Sequence, residues 1–187
     1  MKEKPILMRT ENYKKCADGT KTQTRRICRN PDKPIRLIDA PCPVGTHLWV
    51  KEPFWINGLW GLANNGVKVC YGYDNPPKQN GIVWEGVRLT DEEYKKWWKW
   101  KNRYKIHSGM FMFKSLARLW LEVTDVRIER LQEISEADAQ AEGLDITKYA
   151  TPPRTWFREL WDSINKDRAS WESNPWVWAY TFKRVRQ

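Results

Sequence analysis

Apolar residues recur along the chain in short runs whose spacing switches between two and about 3.6, and each switch marks the border of a predicted element. Pro5-Ile6-Leu7-Met8 reads as a short first strand. A helical turn around Asn12 to Ala17 follows and stops at Gly19, since glycine tolerates the positive φ of a helix terminus. Residues 28 to 43 hold four prolines and no consistent period, which predicts a crossing loop. Gly45 then opens a strand that runs to Glu52, and Val67-Lys68-Val69-Cys70-Tyr71-Gly72-Tyr73 alternates as another. Over residues 119 to 130 the aliphatic side chains fall on odd positions as far as Val123 and on even positions at Val126 and Ile128. Such a change of phase predicts a bulge or bend at Thr124-Asp125, and long bent strands are what small closed barrels need. Ser135-Glu136-Ala137-Asp138 starts a short helix that Gly143 ends, and Thr151-Pro152 caps another whose Trp156, Phe157, Leu160, Trp161 and Ile164 form an apolar stripe. Trp176, Trp178, Tyr180 and Phe182 alternate with Val177, Ala179, Thr181 and Lys183 as a terminal strand.

One stretch differs from its flanks. From Asn75-Pro76-Pro77 to about Lys114 the chain is polar, basic and aromatic, and reads as an insertion. Within it, Thr90-Asp91-Glu92-Glu93 has the spacing of a capping box and predicts a helix over roughly 91 to 104, with Tyr94, Trp97 and Trp98 on one side. The 187 residues suit one core, and no Ser/Gly-rich or Pro-rich linker divides them, so a single domain over 1–187 is expected. No apolar run approaches the ~20 residues of a membrane span, and no apolar segment follows the charged Met1-Lys2-Glu3-Lys4; the expectation is a soluble cytoplasmic protein.

Charge adds a second layer. The net charge is +10, and it is concentrated: residues 1 to 36 carry 11 basic and 4 acidic side chains, and residues 88 to 118 carry 9 and 3. Such clusters make local positive fields suited to phosphates, although solubility alone accounts for a modest net charge. Thirteen tryptophans serve either as stacking platforms or as an aromatic core, and their places on element faces favour the core. Cys16, Cys28, Cys42 and Cys70 form no C-x-x-C pair and lie far from His47 and His107 in sequence, so neither a metal site nor a cofactor is expected.

The chemistry concentrates in Gly19-Thr20-Lys21-Thr22-Gln23-Thr24-Arg25-Arg26, read as a polar cationic loop. Ammonium, guanidinium, hydroxyl and free backbone N–H groups together grip a phosphate or a carbonyl oxygen, and a lysine beside a hydroxyl also assists nucleophilic attack. In isolation the same residues more often make a solvated basic turn.

This G-x-K-x-x-T-x-R loop resembles that of the ASCH family, as do its surroundings: the early strand and helix, the L-W-V-K-E strand at 48–52 and the L-E-V-T-D-V-R strand. Leu131 to Gly143, Phe157 to Asn165 and Asn174-Pro175-Trp176-Val177-Trp178 look like the branch encoded by phages and prophages. The resemblance covers nearly the whole chain except about 75–114, where such proteins vary. It implies an α+β fold, a PUA-like small β-barrel flanked by helices, here with an inserted basic helical segment. It also implies RNA binding or, by similarity to bacterial N4-acetylcytidine amidohydrolases, release of cytidine and acetate with Lys21, Thr24 and Glu142 as the catalytic set. If phage-encoded, the chain works in a bacterial host cell.

Each residue keeps a plain alternative. Lys21 and Glu142 suit a salt bridge as well as catalysis, and Thr24 suits a nucleophile, a water-orienting group or a backbone contact. Arg25, Arg26, Lys51, Glu52 and Arg118 are candidates for gripping substrate or nucleic acid, and Trp49 for stacking on a base. Three functions compete: hydrolysis of an N4-acylated cytidine, free or within RNA; non-catalytic binding of RNA or modified nucleic acid, with single strands held by the basic insertion; and, more weakly, RNA cleavage. The K-x-x-T-x-R loop with its downstream glutamate favours the first, and the charge asymmetry favours a polymeric partner.

Overall fold

The computed structural model describes residues 1–28, 36–59, 66–71, 85–100, 106–148 and 150–185. Part of the proline-rich crossing segment (29–35), the start of the expected insertion (75–84), the end of the strand expected at 67–73 and the expected helix beyond residue 100 lie outside the described residues. Among those described, nine strands and four α-helices form an α+β arrangement with two sheets. No described helix is long and apolar enough to cross a membrane.

The chain divides into two compact units. The first comprises Met1–Lys4, Lys15–Leu48 and Leu121–Gln187. A five-stranded sheet, most of whose residues lie in this unit, has the order β1-β3-β8-β9-β2, from β1 (Glu3–Leu7), β2 (Gln23–Ile27), β3 (His47–Lys51), β8 (Trp120–Arg130) and β9 (Trp176–Val185). The sheet has two edges among the described residues, β1 and β2, rather than closing on itself.

The phase change read in β8 has a structural counterpart. Val123 and Val126 are both buried while Thr124 and Asp125 between them are both exposed, so the inward face shifts by one residue there. β9 departs from simple alternation: Val177, Trp178, Ala179 and Tyr180 are all buried, the pattern of a strand covered on both faces. On one face, α3 (Glu136–Ala141) and α4 (Pro153–Asn165) supply Ala139, Trp156, Phe157 and Trp161 to a cluster with Leu131, Ile134, Trp171 and Val177. The helix starts follow the expected chemistry: Ser135 accepts from the Asp138 backbone N–H, and proline opens α4.

The largest departure concerns the cationic loop. Only its first half is a turn after α1 (Thr10–Asp18); from Gln23 onward it is β2, an edge strand antiparallel to β9 with Thr24 opposite Tyr180, Arg25 opposite Ala179 and Arg26 opposite Trp178. No apolar alternation announces this strand, because its inward-facing charge is neutralised by ion pairs instead of being replaced by an aliphatic side chain.

The second unit comprises Pro5–Lys14 and Trp49–Trp120. Its sheet, ordered β6-β5-β4-β7, is antiparallel throughout and contains β4 (Phe54–Leu59), β5 (Gly66–Tyr71), β6 (Glu85–Arg88) and β7 (Ile106–His107). α2 (Asp91–Trp98) begins with the complete capping box, Thr90 and Glu93 exchanging side-chain and backbone bonds. Trp97 is fully buried against Phe54, Ile56, Val67, Val69 and Tyr71. Leu89, Met112 and Leu116 join the same cluster, so together with Trp97 they provide core to the sheet. Gly109 packs so closely that a Cβ there would lie 2.9 Å from the Glu52 carbonyl carbon, and Met112 accepts from the Glu52 backbone N–H.

Two substitutions test this packing. Trp97→Ala should cost about 3–5 kcal/mol in urea unfolding, as loss of a large buried aromatic does. Gly109→Ala should cost about 1–3 kcal/mol, because the conflict is with backbone rather than a flexible side chain; a native midpoint for either would contradict the packing described.

Candidate functional site

In the first unit, the turn before β2 meets the end of α3. The Lys21 backbone N–H donates to the Lys15 carbonyl and that of Thr22 to the Ala141 carbonyl, at 2.8 and 2.9 Å. Lys21 thereby reaches the C-terminus of α3. Its Nζ lies 2.5 Å from Glu142 Oε2 and 2.8 Å from the Glu142 carbonyl oxygen. A cation is favoured where helix carbonyls are left over, and it offsets the unfavourable placement of Glu142 at that end. Both side chains are almost completely buried, though 121 residues separate them in sequence.

Gly143 makes this approach possible. Its φ of 102° lies in the left-handed region, and a Cβ there would come within 3.1 Å of Lys21 Cβ and 3.0 Å of Lys15 Cδ. The A-E-G turn is thus fixed by both backbone conformation and space.

Arg25 completes the arrangement. Its guanidinium is fully buried and donates to Glu129 Oε1 at 2.7 Å, Glu142 Oε1 at 3.2 Å, Asp138 Oδ2 at 3.2 Å and Gln23 Oε1 at 3.2 Å. Glu129 belongs to β8, and β9 stands between β8 and β2 in the sheet. Arg25 can reach across because its neighbour on β9 is Ala179, whose methyl leaves that face open. Asp138 also accepts from Arg127 at 2.9 Å and Gln23 at 2.8 Å. The cations Lys21, Arg25 and Arg127 are matched by Glu129, Asp138 and Glu142.

Strand alternation separates the roles within β2. Gln23, Arg25 and Ile27 face α3 and α4, where Arg25 lies 5.8 Å over the Phe157 ring. Thr24 and Arg26 take the other face. Thr24 is buried. Arg26 is exposed, although the surrounding protein desolvates its charge enough to lower its pKa against the opposing field of Glu142. Cys16, from α1, is buried near Lys21 and Glu142, and burial pushes its thiol up to about 12, which makes it a poor nucleophile. For Asp138, burial acts upward, but the bonds from Arg127 and Gln23 and the charge of Arg25 outweigh it and hold the carboxyl below its usual range.

The remaining candidates belong to the second unit. Glu52, fully buried, receives Arg118 Nε at 3.2 Å and Arg118 Nη2 at 3.1 Å on both carboxylate oxygens. The third nitrogen of Arg118 donates to Glu85 at 3.3 Å, and the guanidinium lies 3.8 Å over the Tyr71 ring. This arrangement holds Arg118 in one orientation. Lys51 donates to the Met110 carbonyl and lies 5.3 Å over the half-buried Trp49 ring; burial lowers its pKa. Among the described residues no His, Cys, Asp and Glu cluster could hold a metal ion.

The candidates therefore fall into two sets, Lys21, Thr24, Arg25, Arg26 and Glu142 in one unit, and Trp49, Lys51, Glu52 and Arg118 in the other. Sequence reasoning missed Glu129, Asp138 and Gln23. The available signal was Arg127 and Glu129, two apart on a strand and so on one face.

No protein-family model and no curated protein matches the chain. Among solved structures it is similar to an ASCH domain from Lactobacillus crispatus, with a TM-score of 0.47 and 12% identity over 100% of this chain and 81% of that one. It is also similar to a protein from Enterococcus faecalis assigned to DUF984, with a TM-score of 0.44 and 12% identity over 99% and 76%.

Removing one member of the charge cluster should leave buried charge uncompensated. Glu142→Ala is expected to lower stability by about 3–5 kcal/mol in chemical unfolding. Because the folded pKa of Asp138 is depressed, its stabilisation is present above about pH 4 and is lost as pH falls through the folded value. Asp138→Asn should accordingly flatten the acid limb of a stability–pH curve. Cys16 should resist a thiol reagent at pH 8 until the protein unfolds, whereas rapid labelling in the native state would contradict its burial.

Proposed function

We propose that the chain is a hydrolase that cleaves the exocyclic amide of an N4-acylated cytidine, using Lys21, Thr24 and Glu142. The observation that carries this reading is the buried contact of Lys21 with Glu142, two residues that the ASCH-like motifs single out from opposite ends of the chain. The same unit buries Lys21, Glu142 and Thr24, which carry the amine, carboxyl and hydroxyl groups that acyl transfer draws on.

A proton passed along the 2.5 Å contact from Lys21 to Glu142 gives an amine beside a carboxylic acid. The amine then accepts the proton of the attacking hydroxyl, either that of Thr24 or that of a water Thr24 orients. Attack forms a bond to the acyl carbon and places negative charge on its oxygen, where cationic groups stabilise it. Collapse breaks the bond between acyl carbon and N4, and the Glu142 acid donates its proton to the departing nitrogen. The products are cytidine and, directly or after water releases it from Thr24, the carboxylate. Arg25 holds Glu142 through its other oxygen, which fixes the carboxylate toward Lys21.

A second reading, recognition of the modified base without turnover, draws support from the segregated positive charge. Residues 88 to 118 carry 9 basic against 3 acidic side chains, of more use toward a polymer than toward a free nucleoside.

Purified protein incubated with N4-acetylcytidine should release cytidine and acetate, and Lys21→Ala should lower turnover by about 100-fold or more. Thr24→Val should do the same if the hydroxyl attacks or orients water. Absence of turnover by the native protein on both the nucleoside and acetylated RNA would exclude hydrolysis.

A further inference from the structure

α2 presents adjacent tryptophans to opposite environments. Trp97 is fully buried in the core of the second unit, whereas Trp98 is 47% exposed. The exposed ring lies parallel to that of Tyr94, one helical turn earlier, at 6.1 Å between centroids and 18° between planes. Rings held this way are supported from beneath and lose little freedom when a flat partner settles on the outer face. One edge of Trp98 packs on the core ring of Trp97, at 6.0 Å between centroids, while much of the ring stays open to solvent.

Charge around this ring is ordered as well. At about 100° per residue, Lys95 and Lys99 lie roughly 60° and 100° round the helix from Trp98, on the side away from Trp97. Both are exposed, as is Lys96 further round. The acidic residues are drawn to the opposite end. Glu93 closes the capping box and accepts the Ser115 N–H, while Asp91 and Glu92 occupy the first turn. The last turn of α2 therefore exposes an aromatic face flanked by cations.

We infer that this turn is a binding site for single-stranded nucleic acid, Trp98 stacking on one base and Lys95 and Lys99 contacting the phosphates beside it. A duplex keeps its bases stacked on one another and cannot offer a free face to Trp98, which commits the site to a single strand. Every base has a π-face, so the site is tolerant of sequence. The inference stands on α2 alone and does not depend on the hydrolase reading, since a reader and an enzyme gain equally from holding a strand.

Anisotropy of a labelled oligouridylate of about 12 nucleotides, titrated with the full chain at several salt concentrations, tests it. Trp98→Ala should weaken binding roughly 5- to 150-fold while Trp98→Phe retains most of it. Lys95→Gln with Lys99→Gln should reduce the slope of log affinity against log salt by about 1.4. Native affinity in Trp98→Ala together with an unchanged slope in the lysine variant would overturn the site, as would equal affinity of a matched RNA duplex. Preference for anionic vesicles over the oligonucleotide would instead mark a lipid surface and would overturn it too. Turnover of free N4-acetylcytidine is read separately, so failure of this site and failure of the hydrolase reading remain distinct.

Discussion

The first unit is organised by charges that have been taken out of water. Glu142 lies between Lys21 on one carboxylate oxygen and Arg25 on the other, and all three side chains are almost completely buried. Ions so placed are tolerable only when paired with good geometry, and the requirement extends outward. Arg25 needs Glu129 and Asp138, which brings β8 and α3 toward the edge strand. Lys21 needs the last carbonyl of α3, which fixes the helix end and calls for glycine at 143.

The same constraint divides labour along β2. The alternation of the strand sends Arg25 into the neutralised cluster and leaves Thr24 and Arg26 on the opposite face. Arg25 acts on the proposed chemistry through Glu142, as a positioning residue. In the second unit, Arg118 gives buried Glu52 three directed bonds, and the ring of Tyr71 stacks on the guanidinium that makes them. Both buried carboxylates are thus met by arginine, whose planar donors satisfy two oxygens at once.

Much of this was legible in the residues, and the gaps have physical causes. Elements with a strong period or a cap were visible: the phase shift of β8, the Ser135 cap, the apolar stripe of α4 and the capping box of α2. β2 was not, because its buried position is filled by Arg25, and a pattern based on apolarity reads a buried arginine as a loop residue. β4 and β6 were missed for a related reason: Phe54-Trp55-Ile56-Asn57 and Glu85-Gly86-Val87-Arg88 lack a clean alternation over a sufficient length. The composition of the loop pointed to Lys21 and Thr24, but Glu142 was reachable only through a resemblance, since nothing in local spacing joins residues 21 and 142. Glu129 and Asp138 stayed hidden because a carboxylate on a strand or in a first helical turn has an ordinary explanation.

The pair of Lys21 and Glu142 holds the first unit together and, in the proposed function, also reacts; the two roles can be separated. A buried ion pair exchanged as a unit for neutral groups of similar size costs little, whereas a reactive pair so exchanged abolishes the reaction. The double variant Lys21→Met with Glu142→Gln keeps an acceptor for Arg25 and removes both charges. Thermal unfolding and hydrolysis of N4-acetylcytidine, measured on the same preparation, should give a melting temperature near the native value with turnover reduced by about 100-fold or more. Native turnover in that folded double variant would contradict the account.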